Sequence, residues 1–324
     1  MKISSYLKGK KILFIGIGFY DYDQAIIQEL ERNGAEVRYI IEGFTNRKLR
    51  IKNKLLPSFN VSVHQQNLIC DLPSGFFNIV FVIKGAFLSE DNMALLKESQ
   101  NKARFILYQW DSISRVPNVH KILSYFDDIH SFDREDCNVY GFKFRPLFFR
   151  DEVAIKKQDT KKYDLSFVGW CHDGRIDVVY SILKKYNWLN FKPYLYATPR
   201  EWITLILSGY KEHISSKQMK FDDYVTLSAQ SKCVLDIPHR QQTGLTIRTI
   251  ETIGLGVKLM TTNKDIVNYD FYNPNNILVL DRESPCLQET FFEKEYVPVA
   301  MDTVKKYSLS GWVSAIFGER NDFT

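Results

Sequence analysis

A glycine, an arginine and a glutamate with chemical potential stand close together in the stretch Gln241-Gln242-Thr243-Gly244-Leu245-Thr246-Ile247-Arg248-Thr249-Ile250-Glu251. The stretch follows the apolar run Cys233-Val234-Leu235-Asp236-Ile237 and precedes Gly256 and a second apolar run over 257–260. That order reads as strand, loop, helix, glycine stop, strand. Arg248 and Glu251 are three residues apart, so a helix places them on one face near its start. The free amides and positive dipole end of such a helix suit an anion, and a carboxylate beside them can accept hydrogen bonds from a ribose. Phosphate at one end with sugar hydroxyls beside it describes a nucleoside-diphosphate site.

A second loop has the same character. Gly169-Trp170-Cys171-His172-Asp173-Gly174-Arg175 follows a strand-like run and opens a helical one, so its amides and Arg175 can meet a phosphate. The plain alternative is an ordinary strand-to-helix loop with an exposed arginine. General-base candidates lie earlier in the chain. Asp21 and Asp23 come after the first strand, and Asp111 follows the strand over 105–108. Aspartate at such places is also a common cap or turn former. No GxSxG elbow occurs, so serine-hydrolase chemistry of that type has no support. Gly16-Ile17-Gly18 invites a dinucleotide reading, with Glu42 as the ribose acid, and hence a nucleotide-dependent oxidoreductase. The fingerprint needs a third glycine where the chain has Asp21, a carboxylate that would face the pyrophosphate.

These loops need a scaffold, and the chain alternates strand and helix signals throughout. In the first half, strands are expected over 11–17, 37–41, 78–83, 104–108 and 128–132, with helices over 24–33, 91–99 and 119–126. In the second, strands are expected over 164–168, 191–195, 233–237, 257–260 and 277–280, with helices over 176–186, 200–207 and 222–230 and after Gly244. Such alternation implies parallel sheets covered on both faces. The charged segment 149–163 reads as a linker. The expected organisation is an N-terminal Rossmann-like domain over 1–150 and a C-terminal nucleotide-binding Rossmann-like domain over 151–300. The last helix, within 301–324, is expected near 304–317 and to pack across the domain boundary.

Composition fits a two-domain protein of the soluble type: 324 residues, 45% hydrophobic, 25% charged, net charge +5. No apolar run reaches membrane-span length, and the first residues lack the apolar core of a signal peptide. Five scattered cysteines without a CxxC pair suggest reduced thiols in the cytoplasm. Cys171-His172 alone is weak evidence for a metal; neither metal nor cofactor is expected. The basic run over 47–54 can attract an anionic lipid surface or a lipid-diphosphate acceptor, or be a solvated loop. Nucleic-acid binding is not expected at this mild charge.

The whole pattern resembles a GT-B glycosyltransferase, most similar to CgeB-like and capsule or lipopolysaccharide biosynthesis enzymes of bacteria. The resemblance rests on Asp164-Leu165-Ser166-Phe167-Val168-Gly169, on Gly244 to Glu251 through Lys258-Leu259-Met260-Thr261-Thr262-Asn263, on Tyr269-Asp270-Phe271-Tyr272 and on Asn276-Ile277-Leu278-Val279-Leu280-Asp281. It implies an α/β fold with two Rossmann-like domains facing across a cleft. A nucleotide-sugar donor would bind the C-terminal domain and a glycan or lipid-linked acceptor the N-terminal one, in surface polysaccharide synthesis. The implied setting is cytoplasmic, with peripheral contact at the inner face of the membrane. By position Glu251 would hold the donor ribose. Arg175, Arg248 and the amides following Gly169 and Gly244, with Leu245 beside them, would hold the diphosphate. Many GT-B enzymes carry a second glutamate where this chain has Thr243, so donor-sugar contacts pass to His239, Gln242 and Thr246. An inverting reaction would need Asp21 or Asp111 as base. A non-catalytic nucleotide- or glycan-binding module and a GT-B-fold epimerase are the remaining alternatives.

Overall fold

A computed structural model describes residues 7–19, 21–44, 51, 60–210 and 212–318. Apart from Ile51, the basic run over 47–54 lies outside the described residues. Two compact units divide the chain. One is the chain up to Pro146 together with the segment from Leu309 onward; the other is Leu147–Ser308.

The first unit begins with β1 (Lys11–Gly16), α1 (Tyr22–Arg32), β2 (Glu36–Ile41) and α2 (Val61–Cys70). It continues with β3 (Ile79–Ile83), α3 (Glu90–Ser99), β4 (Arg104–Gln109), a 3-10 stretch (Pro117–Tyr125), β5 (Asp128–Ser131), α4 (Arg134–Tyr140) and β6 (Lys143–Phe144). The strands form one parallel sheet in the order β2-β1-β3-β4-β5-β6. Ile12, Leu13, Phe14 and Ile15 of β1 are all buried, as a central strand covered on both faces requires. Helix α1 buries Ala25, Ile26, Ile27 and Leu30, and Gly34 just beyond it takes a φ of 88° that a side chain would resist. Helix α2 was not legible: its Gln- and Asn-rich sequence carries little apolar periodicity.

The second unit contains α5 (Asp151–Ile155), β7 (Tyr163–Trp170), α6 (Arg175–Lys185), β8 (Phe191–Tyr196), α7 (Pro199–Leu207) and β9 (Ile214–Ser215). After these come α8 (Phe221–Ala229), β10 (Ser231–Asp236), α9 (Ile247–Leu255), β11 (Lys258–Thr261), β12 (Ile277–Val279), α10 (Glu289–Glu293) and α11 (Met301–Lys306). Its sheet is also fully parallel, in the order β12-β11-β10-β7-β8-β9.

The segment expected as a linker is partly built into this unit. Phe149 and Val153 are buried, and the Phe149 ring lies so close to α9 that a Cβ on Gly254 would stand 2.8 Å from it. The charged residues of the segment hid these apolar anchors in the sequence. The helix expected over 304–317 is two helices. Tyr307 and Ser308 interrupt it, because the Phe149 amide donates to the Tyr307 carbonyl at 2.9 Å and a bridge joins Phe149 to Ser308. The last helix, α12 (Leu309–Phe317), belongs to the first unit. Its buried Trp312 packs edge-on against Tyr108 (ring centroids 4.8 Å apart) and Phe81 (6.1 Å). Among the described residues no helix is long and apolar enough to cross a membrane.

Candidate functional site

Strand order locates the site before any side chain is considered. In the second sheet β7 lies between β8 and β10, so successive connections leave β7 and β10 in opposite directions. Parallel sheets bind ligands outside the carboxyl ends of the strands at such a reversal. The two loops there are 171–174, leading into α6, and 237–246, leading into α9. They are the two stretches the sequence singled out.

Three guanidinium groups pin these loops. Arg248 lies on the first turn of α9; its Nη1 is 2.7 Å from Asp236 Oδ1 and its Nη2 donates to the Val168 carbonyl. Asp236 is wholly buried at the end of β10 and also accepts from the Thr249 hydroxyl at 3.0 Å. Burial opposes the charge on Arg248, but Asp236, together with Tyr224 and Glu251, more than restores it and the pKa is raised. Arg282, in the loop after β12, donates to the Pro238 carbonyl at 2.7 Å and to the Asp173 carboxylate at 3.0 Å. Asp173 also accepts the Arg240 amide at 2.8 Å. Burial raises the Asp173 pKa, but the Arg240 amide and the Arg282 charge outweigh it and the net shift is downward.

Arg175 differs from both. It donates from Nε to the Ile237 carbonyl at 2.7 Å, and among the described residues no carboxylate pairs with it. Its pKa falls to about 10, first through burial and then through the neighbouring positive charge of Arg248. Arg175 is thus held in place beside Arg248 without a direct ion pair of its own, and Asp236 and Asp173 act on it only at longer range. That leaves it available to an anion at the mouth of the two loops.

Around these arginines, Thr246 caps α9 by accepting the Thr249 amide at 3.2 Å, and the first-turn amides of that helix face the 237–246 loop. Gly244 and Leu245 are buried, and the Gln242 side chain donates to the Gly244 carbonyl at 3.0 Å. Asn263 donates to the Thr243 carbonyl at 2.8 Å and so holds the loop from behind. The His239 Nδ1 accepts the Gln241 amide at 3.2 Å, and its ring lies 6.2 Å from that of His172. Gly169 is required by packing: a Cβ there would stand 2.7 Å from the Phe167 ring, over which Arg248 sits. Glu251 is 1% exposed, and its Oε2 accepts the Tyr224 hydroxyl at 2.5 Å. The carboxylate assigned to a ribose therefore faces inward in this state.

The structure thus gathers Gly169, Arg175, His239, Gln242, Gly244, Leu245, Thr246 and Arg248 at one sheet edge, with Glu251 one helical turn deeper. Sequence reasoning missed Asp173, Asp236, Arg282, Asn263 and Tyr224 as their partners. Asp236 had a signal, since a carboxylate inside the run Val234-Leu235-Asp236-Ile237 demands a cation. Arg282 had none; it reaches Asp173 across 109 positions.

Asp21 and Asp111 lie in the first unit, at the carboxyl edge of its sheet. Asp21 adopts φ 61° at the start of α1, is exposed, and among the described residues its carboxylate has no partner. Asp111 is engaged by Lys84 at 2.7 Å and Arg115 at 3.1 Å. The glycine loop that suggested a dinucleotide is occupied by the protein itself. Asp23 is buried there and accepts the Gly18 amide and the Tyr39 hydroxyl, each at 2.5 Å. A Cβ on Gly16 would collide with that carboxylate at 2.5 Å. An internal carboxyl group sits where a pyrophosphate would go, which argues against the oxidoreductase alternative. Glu42, the supposed ribose acid, is buried, and its pKa is raised chiefly by that burial. Among the described residues no group of three His, Cys, Asp or Glu side chains is placed to hold a metal ion.

No family model matches the chain. A glutamine-hydrolyzing GMP synthase of Borrelia garinii subsp. bavariensis is 29% identical over 101 residues, 30% of this chain, and the chain spans only 19% of that relative's length. Solved structures resemble it over nearly its whole length. AviGT4, a glycosyltransferase involved in avilamycin A biosynthesis, matches with a TM-score of 0.54 at 11% identity, over 95% of this chain and 93% of that one. The fold is GT-B. Anabaena Alr3699/HepE in complex with UDP and glucose matches with a TM-score of 0.55 at 10% identity, over 97% and 96% of the two chains. The UDP-GlcNAc 2-epimerase of Neisseria meningitidis bound to UDP-GlcNAc matches at 0.51 and 13%, over 83% and 87%. At these identities the likeness is one of fold: two Rossmann-like units, each a parallel six-stranded sheet flanked by helices.

Proposed function

We propose that the protein is a glycosyltransferase that takes its sugar from a nucleoside-diphosphate donor bound by the second unit. Arg175 carries this reading. It is pinned through Nε, lacks an acidic partner among the described residues, and stands beside Arg248 at the strand-order reversal. The ligand such a site favours is a dianion, and the first turn of α9 adds amide donors to it. As the glycosidic bond breaks, charge grows on the leaving diphosphate; a fixed guanidinium and helix amides stabilise that charge without a metal ion. His239, Gln242 and Thr246 border the place of the donor sugar. Glu251 takes the ribose hydroxyls once Tyr224 releases it.

Of the two base candidates Asp21 is the better placed, because its carboxylate is exposed while Asp111 is held by two cations. The CgeB-like resemblance supports a glycan or lipid-linked acceptor in surface polysaccharide synthesis, at the cytoplasmic face of the inner membrane.

The test is thermal stabilisation by UDP, GDP, CDP, ADP and NAD(P), with and without a chelator, for the native protein and Arg175→Ala. Stabilisation by one nucleoside diphosphate, unaffected by chelator and lost in the variant, is the expected result. Stabilisation by NAD(P) alone would overturn the reading. The resemblance in fold to an epimerase calls for a second arm: the matching nucleotide sugar is incubated without acceptor, and a changed sugar with intact diphosphate would identify an epimerase instead.

A further inference from the structure

Arg175 is held from two directions. Its backbone leaves the 171–174 loop, and its Nε donates to the Ile237 carbonyl in the 237–246 loop. Its two Nη atoms have no hydrogen-bond partner among the described residues. Where they point therefore depends on how the two loops are set against each other. The first of these loops is strained. Asp173 and Gly174 take φ values of 61° and 68° in succession, and a left-handed aspartate persists where its surroundings hold it there. Gly174 then opens α6 without a side-chain cap.

The hold comes from Arg282. Two residues earlier the chain is still bonded into the sheet, where the Leu280 amide donates to the Thr261 carbonyl at 2.8 Å. The Asp281 carboxylate then accepts the amides of Glu283 and Ser284 at 2.9 and 2.8 Å, so the turn that presents Arg282 is itself fastened. From this turn Nη1 donates to the Pro238 carbonyl at 2.7 Å. Nη2 donates to the Asp173 carbonyl and stands 3.0 Å from the Asp173 carboxylate. Pro238 adjoins Ile237, which pins Arg175, and Asp173 lies two residues before Arg175 itself. One planar group thus grips the chain beside both attachments of Arg175, and its rigid fork fixes the distance between them. The Arg240 amide closes onto the same carboxylate at 2.8 Å. The Arg282 side chain is 13% exposed, which suits a strut beneath the loops better than a ligand contact.

We propose that Arg282 is the positioning residue of the donor site: by clamping Asp173 to Pro238 it aims the unbonded Nη atoms of Arg175 at the diphosphate. The inference rests on the nucleoside-diphosphate reading for what is bound, while the state of Arg175 can be followed with no ligand present.

Two measurements on the full chain test it. Nitrogen–proton NMR of the arginine Nε groups follows Arg175 without ligand, its signal identified by its loss in Arg175→Ala. The bond to Ile237 should protect this proton in the native protein. Arg282→Lys keeps a positive charge opposite Asp173 but loses the fork, and should speed exchange of the Arg175 proton by about tenfold or more. In the second measurement UDP, GDP, CDP and ADP are titrated by calorimetry. The nucleotide that binds the native protein should bind Arg175→Ala and Arg282→Lys each about tenfold or more weaker, and the double variant no weaker than Arg175→Ala alone. Should Arg282→Lys not fold, Arg282→Gln takes its place in both. An unchanged Arg175 signal in the Arg282 variant overturns the proposal. So do losses that add in the double variant, because Arg282 would then act on the ligand without Arg175. Native protein that binds none of the four nucleotides overturns the nucleoside-diphosphate reading, and with it the purpose of the clamp, whatever the Arg175 signal shows.

Discussion

Arg248 reaches across the carboxyl end of the second sheet to Asp236, 2.7 Å away, and Asp236 has no contact with solvent. The arginine that the sequence offered as a phosphate ligand is thus already the counter-charge of a buried carboxylate. The two arginines should consequently fail differently when removed. Arg248→Ala strands Asp236 and should lower unfolding free energy by about 3–5 kcal/mol, measured by urea denaturation. Arg175→Ala breaks no ion pair and should leave stability within about 1 kcal/mol of native. It should instead cost about 2–4 kcal/mol of transition-state stabilisation in kcat/KM.

The Tyr224 hydroxyl competes with any ribose for the Glu251 carboxylate. If Glu251 serves the donor, Tyr224→Phe should tighten binding of the preferred nucleoside diphosphate severalfold by calorimetry while lowering fold stability by about 1–3 kcal/mol. A dideoxynucleotide should show no such gain. Equal changes for both ligands would remove Glu251 from the ribose site.

Glu42 gives the first unit a pH dependence. Burial lifts its pKa from 4.5 to about 8, against the pull of Lys84 and the amides of residues 85–87. The folded state therefore holds a proton that the unfolded chain releases above pH 4.5. Stability from this group is complete below that pH and is lost as the pH rises toward 8. Glu42→Gln should flatten that decline, and a melting-temperature series across the interval reads it directly.

His130 acts on the acid side. Burial, followed by the charge of Lys143, lowers its pKa from 6.5 to about 3, and neither ring nitrogen has a partner among the described residues. Its contribution is present above pH 6.5 and is lost as the pH falls toward 3, because the unfolded chain takes up the proton first. His130→Leu should retain more of its stability at pH 5 than the native protein does, each compared with its own value at pH 7.

Gly254 inverts a common rule. Alanine in place of a mid-helix glycine ordinarily stabilises by about 1 kcal/mol. Here the added methyl meets the Phe149 ring at 2.8 Å, so Gly254→Ala should destabilise by about 1–3 kcal/mol. Pairing it with Phe149→Leu should recover part of the loss.

The legible parts of this protein were those in which neighbours in sequence do the work. Ile12 to Ile15, Cys233 to Asp236 and the Gly256 stop after α9 each announce themselves through a local apolar run or a left-handed turn. The strand–loop–helix units carrying Arg175 and Arg248 were readable for that reason. What those arginines bind was not, because Ile237, Asp236 and Val168 become their partners only after the sheet has formed. Arg282 is the extreme case, a lone cation in a loop joined to Asp173 by nothing in the local pattern. Segment 149–163 misled in the opposite sense: eight charged side chains concealed two apolar anchors, Phe149 and Val153, which decide where it lies.

The position of α12 has a consequence for how the chain is made. Trp312 packs beneath Tyr108 and against Phe81, yet it leaves the ribosome only after all of Leu147–Ser308 has been synthesised. At ~5–20 residues per second, roughly 10–30 s pass between completion of the first sheet and arrival of the helix that covers it. During that interval Phe81 and Tyr108 present an aromatic face to chaperones and to other nascent chains. The half that emerges first is finished last.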